Sequence, residues 1–598
     1  MKIRSIWFVN AALAAGMSLA LIACNQAGDA AAETNNFLLA YVPADTPYLA
    51  GNLEPIPEDV IESAFRRAQP ALDAVQDVLA GSRIRFSGSS AEDNPQLAIM
   101  AAIVDELNGK LSRQGLESLG FSLEAFQAVY GMGVFPVVRL SLGNAQALRD
   151  TIVRIEESSG LDFPELELQG QTYWRIYPGT LTPNSNAPAA IYIAIIEEAA
   201  GSHLAVSMFP PESEPEYLPK FLGQSKPATS TAAEALASVN SQYGYSAYGT
   251  GWLDFQRMFD QFADPASTLR MALGEHGSEI DEHLDEVCRA EISALIARAP
   301  RMIVGTTELT PSSMGGQYRL ELASDLAAEL AGLVSSVPPA PAESDRLLEF
   351  AIGIRLGAAR DFLIDKATAL SQQPFQCEAL QGINEQAANA LVKLNYPLPP
   401  LVNNFLGLRA SLSEVPEDES DLDAFLGTAA LYVDKPEMFV GMAQMFLPQL
   451  EEFKLVKGEP PVRLPESLMP APGIVAYAAM SDRALGLSVG QGEEARLSRF
   501  LDAKSQGDGS FLSMNYDMAA YMDRIDVLGD DLRPAGADSD TIVDGEFESA
   551  EAEEDYIGAS EVAEAVQQAL RNMAGRSQLS LSFDNQGFAI DSRMEFSK

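Results

Sequence analysis

Three stretches of this chain carry residue types and spacings that could do chemistry. Gly486-Leu487-Ser488-Val489-Gly490 matches G-x-S-x-G, the sharp turn that presents a serine nucleophile in many hydrolases. That chemistry needs a histidine base, which in the hydrolase order follows the serine. All three histidines, His203, His276 and His283, precede Ser488, so a strand serine before a Gly-rich turn is the simpler expectation. His276 and His283 stand among Glu275, Glu279, Asp281, Glu282, Asp285 and Glu286, which are metal-ligand types. Seven residues along a helix separate the imidazoles by about 10 Å, too far for one zinc ion. A solvated acidic helix face is expected there. Between Asp538 and Asp555 lie nine carboxylates and no cation, yet Asp538, Asp540 and Asp544-Gly545 miss the calcium-loop spacing. This reads as an acidic loop, 530–558.

No Walker loop, dinucleotide fingerprint, S-x-x-K or H-E-x-x-H occurs. No cofactor and no metal site is therefore expected, and catalysis is not favoured. Tyr243, Tyr245, Tyr248, Trp252 and Phe255 are interleaved with Gly244, Gly249 and Gly251. Such a set builds either a core corner or a contact surface, with Tyr245, Tyr248 and Trp252 as the candidates for contact.

The N-terminus is more specific. Lys2 and Arg4 precede an apolar run from Ile6 to Ala23, the arrangement of a secretory signal. The run ends Leu21-Ile22-Ala23-Cys24, which resembles the lipobox of bacterial lipoproteins; an uncleaved membrane anchor is the alternative. The resemblance covers residues 1–24 only. It implies that Cys24 is lipidated and becomes the first mature residue, held in a membrane by its acyl chains. By the sorting rule of that class, Asn25 rather than Asp after the cysteine implies the outer membrane, facing the periplasm. Residues 25–36 read as a flexible tether.

Loss of the signal removes Lys2 and Arg4 and no acid, taking the net charge from −44 to −46. Such a balance repels nucleic acid. The two remaining thiols, Cys288 and Cys377, are expected to pair in an oxidising compartment.

The elements around these residues repeat. Val137–Leu142, a turn and a helix from Ala145 match Ala429–Val433, a turn and a helix from Glu437. A hairpin follows in each (Leu166–Pro178, Lys454–Pro465), then two β-rich runs (Ile191–Ile196 with Leu204–Met208, Ile474–Ala479 with Leu485–Val489). Next, the helix Tyr217–Leu222 matches Arg496–Leu501, and Tyr245–Tyr248 matches Phe511–Met514. Two alternating strands close each half, as in Leu579-Ser580-Leu581-Ser582-Phe583. The prediction is an α+β fold of two duplicated domains, 37–336 and 344–598, each an antiparallel sheet with helices packed on it. Residues 337–343, with Pro338, Pro339 and Pro341, form the linker between them.

The leading expectation is a non-catalytic envelope protein binding another envelope component. The rival is a carrier or chaperone for a lipid or other apolar ligand, with the alternating strands lining a pocket. An envelope hydrolase using Ser488 is the third reading.

Overall fold

A computed structural model describes residues 36–596 except 87–94, 178–188, 228–229, 274–279, 281–282, 343, 398, 415–424, 452, 470–472, 505–509 and 521–573. Cys24, Asn25, His276 and the acidic loop 530–558 lie outside the described residues.

The fold is α+β and built on one antiparallel sheet. Its first ten strands are β1 (Tyr48–Gly51), β2 (Gln127–Met132), β3 (Phe135–Ser141), β4 (Glu165–Leu168), β5 (Gln171–Ile176), β6 (Ala190–Glu198), β7 (Gly201–Phe209), β8 (Thr250–Asp254), β9 (Arg301–Thr310) and β10 (Ser313–Glu321). The others are β11 (Leu348–Gly353), β12 (Phe405–Glu414), β13 (Leu426–Val433), β14 (Val462–Arg463), β15 (Ala476–Met480), β16 (Ala484–Val489), β17 (Ser510–Asp517), β18 (Ala574–Asp584) and β19 (Gly587–Phe596).

Followed by their pairings, the strands run β4-β5-β6-β7-β3-β2-β1-β8-β9-β10 and then β19-β18-β17-β11-β12-β13-β16-β15-β14. The halves join along β10 and β19, where Gln317 faces Asp591 at the centre of the register. Outward from that seam the connectivity is the same on both sides: β9 matches β18, β8 matches β17, β1 matches β11, and so on to β5 and β14. β4 has no counterpart. The expected division at 337–343 is thus no break in the sheet.

Proline cannot supply ladder donors, and the Pro-rich segment is held by side chains instead. Ser513 Oγ accepts from Ala340 N at 2.8 Å, and Asn515 Nδ2 donates to Pro341 O at 2.7 Å. Val337 is buried in the second-half core. At the other end of the first half, Asn36 belongs to the fold rather than to a tether. It is buried, caps the turn Phe37–Tyr41 and donates to Gln127 O at 3.0 Å.

The helices that position the sheet are α1 (Glu58–Phe86), α2 (Pro95–Leu107), α3 (Ala145–Ser159), α4 (Glu214–Phe221), α5 (Ala232–Tyr243), α6 (Phe255–Ala263), α7 (Glu286–Ile296), α8 (Leu356–Gln372), α9 (Gln381–Leu394), α10 (Pro436–Phe446) and α11 (Glu494–Leu501). Local chemistry sets their ends. For α3, Asn144 accepts from Ala147 N at the start, and Gly160 at φ 67° stops it. The first-half core packs Leu38, Leu39 and Tyr41 with Tyr130, Val137, Tyr192, Phe209, Phe221 and Leu236. The second-half core is smaller, with Ala351, Leu406, Ala430 and Tyr432 against Leu497 and Leu501 of α11.

Cys288 on α7 is bonded to Cys377, in the loop between α8 and α9. The bond joins the two halves, and Glu291 reinforces it by accepting from Cys377 N at 2.9 Å. No helix among the described residues is long and apolar enough to cross a membrane.

Candidate functional site

Residues paired across antiparallel strands share a face of the sheet. Followed strand by strand, one cross-strand row runs Ile193, Val206, Val138, Val129, Ala50, Gly251, Val304, Tyr318, Ile590, Leu581, Leu512, Ile352, Leu408, Leu431, Leu485, Met480. No member of it carries a charge. The neighbouring row on the opposite face contains Ala205, Arg139, Ala128, Gly51, Thr250, Gly305, Gln317, Asp591, Ser580, Ser513, Ala351, Arg409 and Ala430. This row is small and polar, whereas rows beside it on the same face hold Tyr130, Val137, Tyr192 and Phe209 of the core, and the face is covered by α4, α5, α11 and residues 337–342.

Large apolar side chains stand on the less covered face as well. Tyr318 is 51% exposed, Leu487 41%, Met302 41% and Leu408 36%. At the outer edge, α3 covers part of this face, with Leu148 and Ile152 against Ile193, Ile195 and Leu204. At the seam, the first turn of α1 covers another part, with Ile56 and Val60 against Tyr248, Leu309 and Met314. In the second half, α8, α9 and α10 bury few of their apolar side chains; Leu363, Val392, Met445 and Phe446 are exposed. An apolar surface this continuous is not typical of a monomer without a binding role.

Between the covered parts lies a groove of about 350 Å³ spanning both halves. Its walls are Ala50 and Val129 on one side and Tyr516, Leu579 and Met594 on the other, with Val304, Met314 and Tyr318 between. Glycines keep it open. A Cβ at Gly316 would meet nothing closer than Gly305 O at 3.7 Å, so the space above it is empty. Gly305 serves the opposite face, where Tyr245 lies on it and a Cβ would fall 2.0 Å from the ring.

Of the aromatic set, Tyr245 and Tyr248 are buried and Trp252 is half-buried. Tyr245 to Tyr248 is also a loop, and the strand equivalent to β17 begins at Thr250. Tyr245 donates to Gln317 Oε1 at 2.7 Å, and Gln317 Nε2 donates to Asp591 Oδ1 at 2.6 Å across the seam. Burial pushes the Tyr245 hydroxyl up to about 12. Tyr248 faces the groove. A second, polar space of about 450 Å³ lies on the other face, between residues 337–342 and Ser513, Ser580, Ser582 and Asp591.

The other candidates are dispersed. Ser488 is fully buried in β16, opposite Thr428, and its hydroxyl has no hydrogen-bond partner among the described residues. His203 is in the first half, with its Nε2 2.8 Å from Arg139 Nη1. Burial, then the Arg139 charge, lowers its pKa to about 3, so it stays neutral. His283 is exposed. Among the described residues no three His, Cys, Asp or Glu side chains cluster so as to hold a metal.

Sequence reasoning missed two features. One is the pair of buried arginines: Arg139 Nη2 donates to Phe221 O at 2.6 Å, and Arg409 Nη1 to Phe500 O at 3.2 Å. Each reaches the carbonyl end of the matched helix, α4 or α11, where the helix dipole favours a cation. The other is Met314-Gly315-Gly316, whose paired glycines inside a strand were a legible sign of close approach. No protein-family model matches this chain, and no curated protein or solved structure matches it either.

Proposed function

We propose that this protein is a lipid-anchored envelope protein that binds an apolar ligand in the groove across its central strands, as a carrier or chaperone. The observation that carries this reading is the uncharged row from Ile193 to Met480 on the less covered face, opening into the groove at the β10–β19 seam. A scaffold for a protein partner would use a flat patch; here the apolar surface is concave where the two halves meet. The reading of the halves as repeats is supported by their matching connectivity and by the matched Arg139–Phe221 and Arg409–Phe500 contacts. A hydrolase using Ser488 finds little support, since that hydroxyl is fully buried and bonds to no histidine among the described residues.

The test is mass spectrometry of residues 25–598, natively and after organic extraction. A stoichiometric apolar molecule is expected, and it should be missing from Gly316→Trp, which fills the groove from its floor. Empty wild-type protein that also fails to take up added lipid would overturn the proposal. The anchor is tested separately: the wild-type chain should incorporate labelled palmitate and lose residues 1–23, and Cys24→Ser should do neither.

A further inference from the structure

Beyond the Met594 end of the groove, outside its lining, stands a cation. Arg67, two turns along α1 from Val60, lies with its guanidinium carbon 3.9 Å from the centre of the Phe596 ring. Phe596 is two residues beyond Met594 on the same face of β19, and Met594 pairs with Met314; both methionines line the groove. Only one nitrogen of Arg67 is engaged: Nη1 donates to Ser63 Oγ at 2.8 Å and to Pro311 O. Its Nε and Nη2 have no partner among the described residues.

Carboxylates outnumber cations 84 to 40 in this chain, and the comparably half-buried Arg175 and Arg301 each pair with one, Glu214 and Glu321. Arg67 does not, and neither does its neighbour Arg66: no described carboxylate is within ion-pair distance of either. Desolvation, then the like charge of Arg66, lowers the Arg67 pKa, the mark of a guanidinium lacking an anion.

We infer that the ligand is a single-chain fatty acid, its tail in the groove between Met314 and Met594 and its carboxylate on the Nε–Nη2 edge of Arg67. This rests on the apolar-ligand reading above and adds the head group. The free edge is a side-on fork matching the two oxygens of a carboxylate. A groove of about 350 Å³ is at the small end for ligand sites and suits one chain rather than two.

The experiment compares equilibrium binding of hexadecanoate and hexadecanol to residues 25–598, which include every described residue. A charge-assisted pair predicts that the acid binds about tenfold or more tightly than the alcohol. Arg67→Gln should abolish that preference while alcohol binding persists, and Arg67→Lys should restore part of it. Equal binding of acid and alcohol, unaltered by Arg67→Gln, overturns the inference and leaves the apolar-ligand reading standing. Binding of neither overturns both. Should Arg67→Gln fail to fold, the salt dependence of the wild-type preference decides: a difference that weakens with salt supports the ion pair, and a salt-independent one overturns it.

Discussion

Arg139 is fully buried, and no carboxylate lies within ion-pair reach of it among the described residues. Its charge is spread over Tyr130 Oη at 2.9 Å, Phe221 O, the His203 ring and the face of Tyr41 at 3.8 Å. Arg409 does the same work with less: one bond to Phe500 O, the Phe500 ring at 4.2 Å, and an Nε without a partner among the described residues. Arg139→Met should therefore cost about 3 kcal/mol by orphaning several buried groups, and Arg409→Met about 1 kcal/mol. Urea unfolding at neutral pH measures both; equal losses would contradict the distinction. His203 adds a pH signature. Its folded pKa of about 3 lies below the ordinary value of 6.5, so the unfolded chain binds the extra proton between those limits. Stability then falls as pH drops through that window. Between pH 7 and pH 5 the loss from this group is about 2 kcal/mol. His203→Gln should show that much less acid sensitivity over the same interval.

At the scale of elements, the disulfide is the clearest lever. It ties α7 of the first half to the α8–α9 loop of the second across 89 residues. In the chain-entropy model, closing such a loop stabilises by about 4.5 kcal/mol. Cys288→Ser with Cys377→Ser should lower stability by that order, read as a shift in the urea midpoint. Hydrogen exchange in α8 and α9 should rise most, because these helices bury few side chains of their own. Uniform loosening of β1 to β10 instead would place the bond's effect elsewhere. The two helices matched in the sequence, α3 and α10, differ in their packing. The helix α3 has an apolar stripe packed on β6 and β7, while α10 exposes Met445 and Phe446.

For the whole molecule, the seam matters most. β10 and β19 convert two half-sheets into one, and the groove exists only because strands from both halves flank that line. Binding at the seam couples the halves, so a saturating ligand should raise the unfolding temperature of a single transition by mass action. Differential scanning calorimetry with and without hexadecanoate tests this; two transitions, only one of them shifted, would mean that the halves unfold independently.

Much of this architecture was legible in the sequence. Alternation in runs such as Leu579-Ser580-Leu581-Ser582-Phe583 carries strand identity and face, because side chains in a strand point alternately to either side. The order of elements around Val137 and Ala429, or Tyr217 and Arg496, is local information, and the expectation that Cys288 and Cys377 pair needed only the cysteine count and the resemblance of residues 1–24 to an export signal. What only the tertiary structure decided is which face is covered. Period-two patterning separates the rows but cannot say that helices would settle on the serine and glycine row and leave the leucines half-open. That outcome depends on contacts between residues hundreds of positions apart, as Gln317 is from Asp591. Likewise Arg67 reads in sequence as one helix charge among many; its guanidinium edge, without a partner among the described residues, lies where it does because α1 lays it against Phe596, hundreds of positions away.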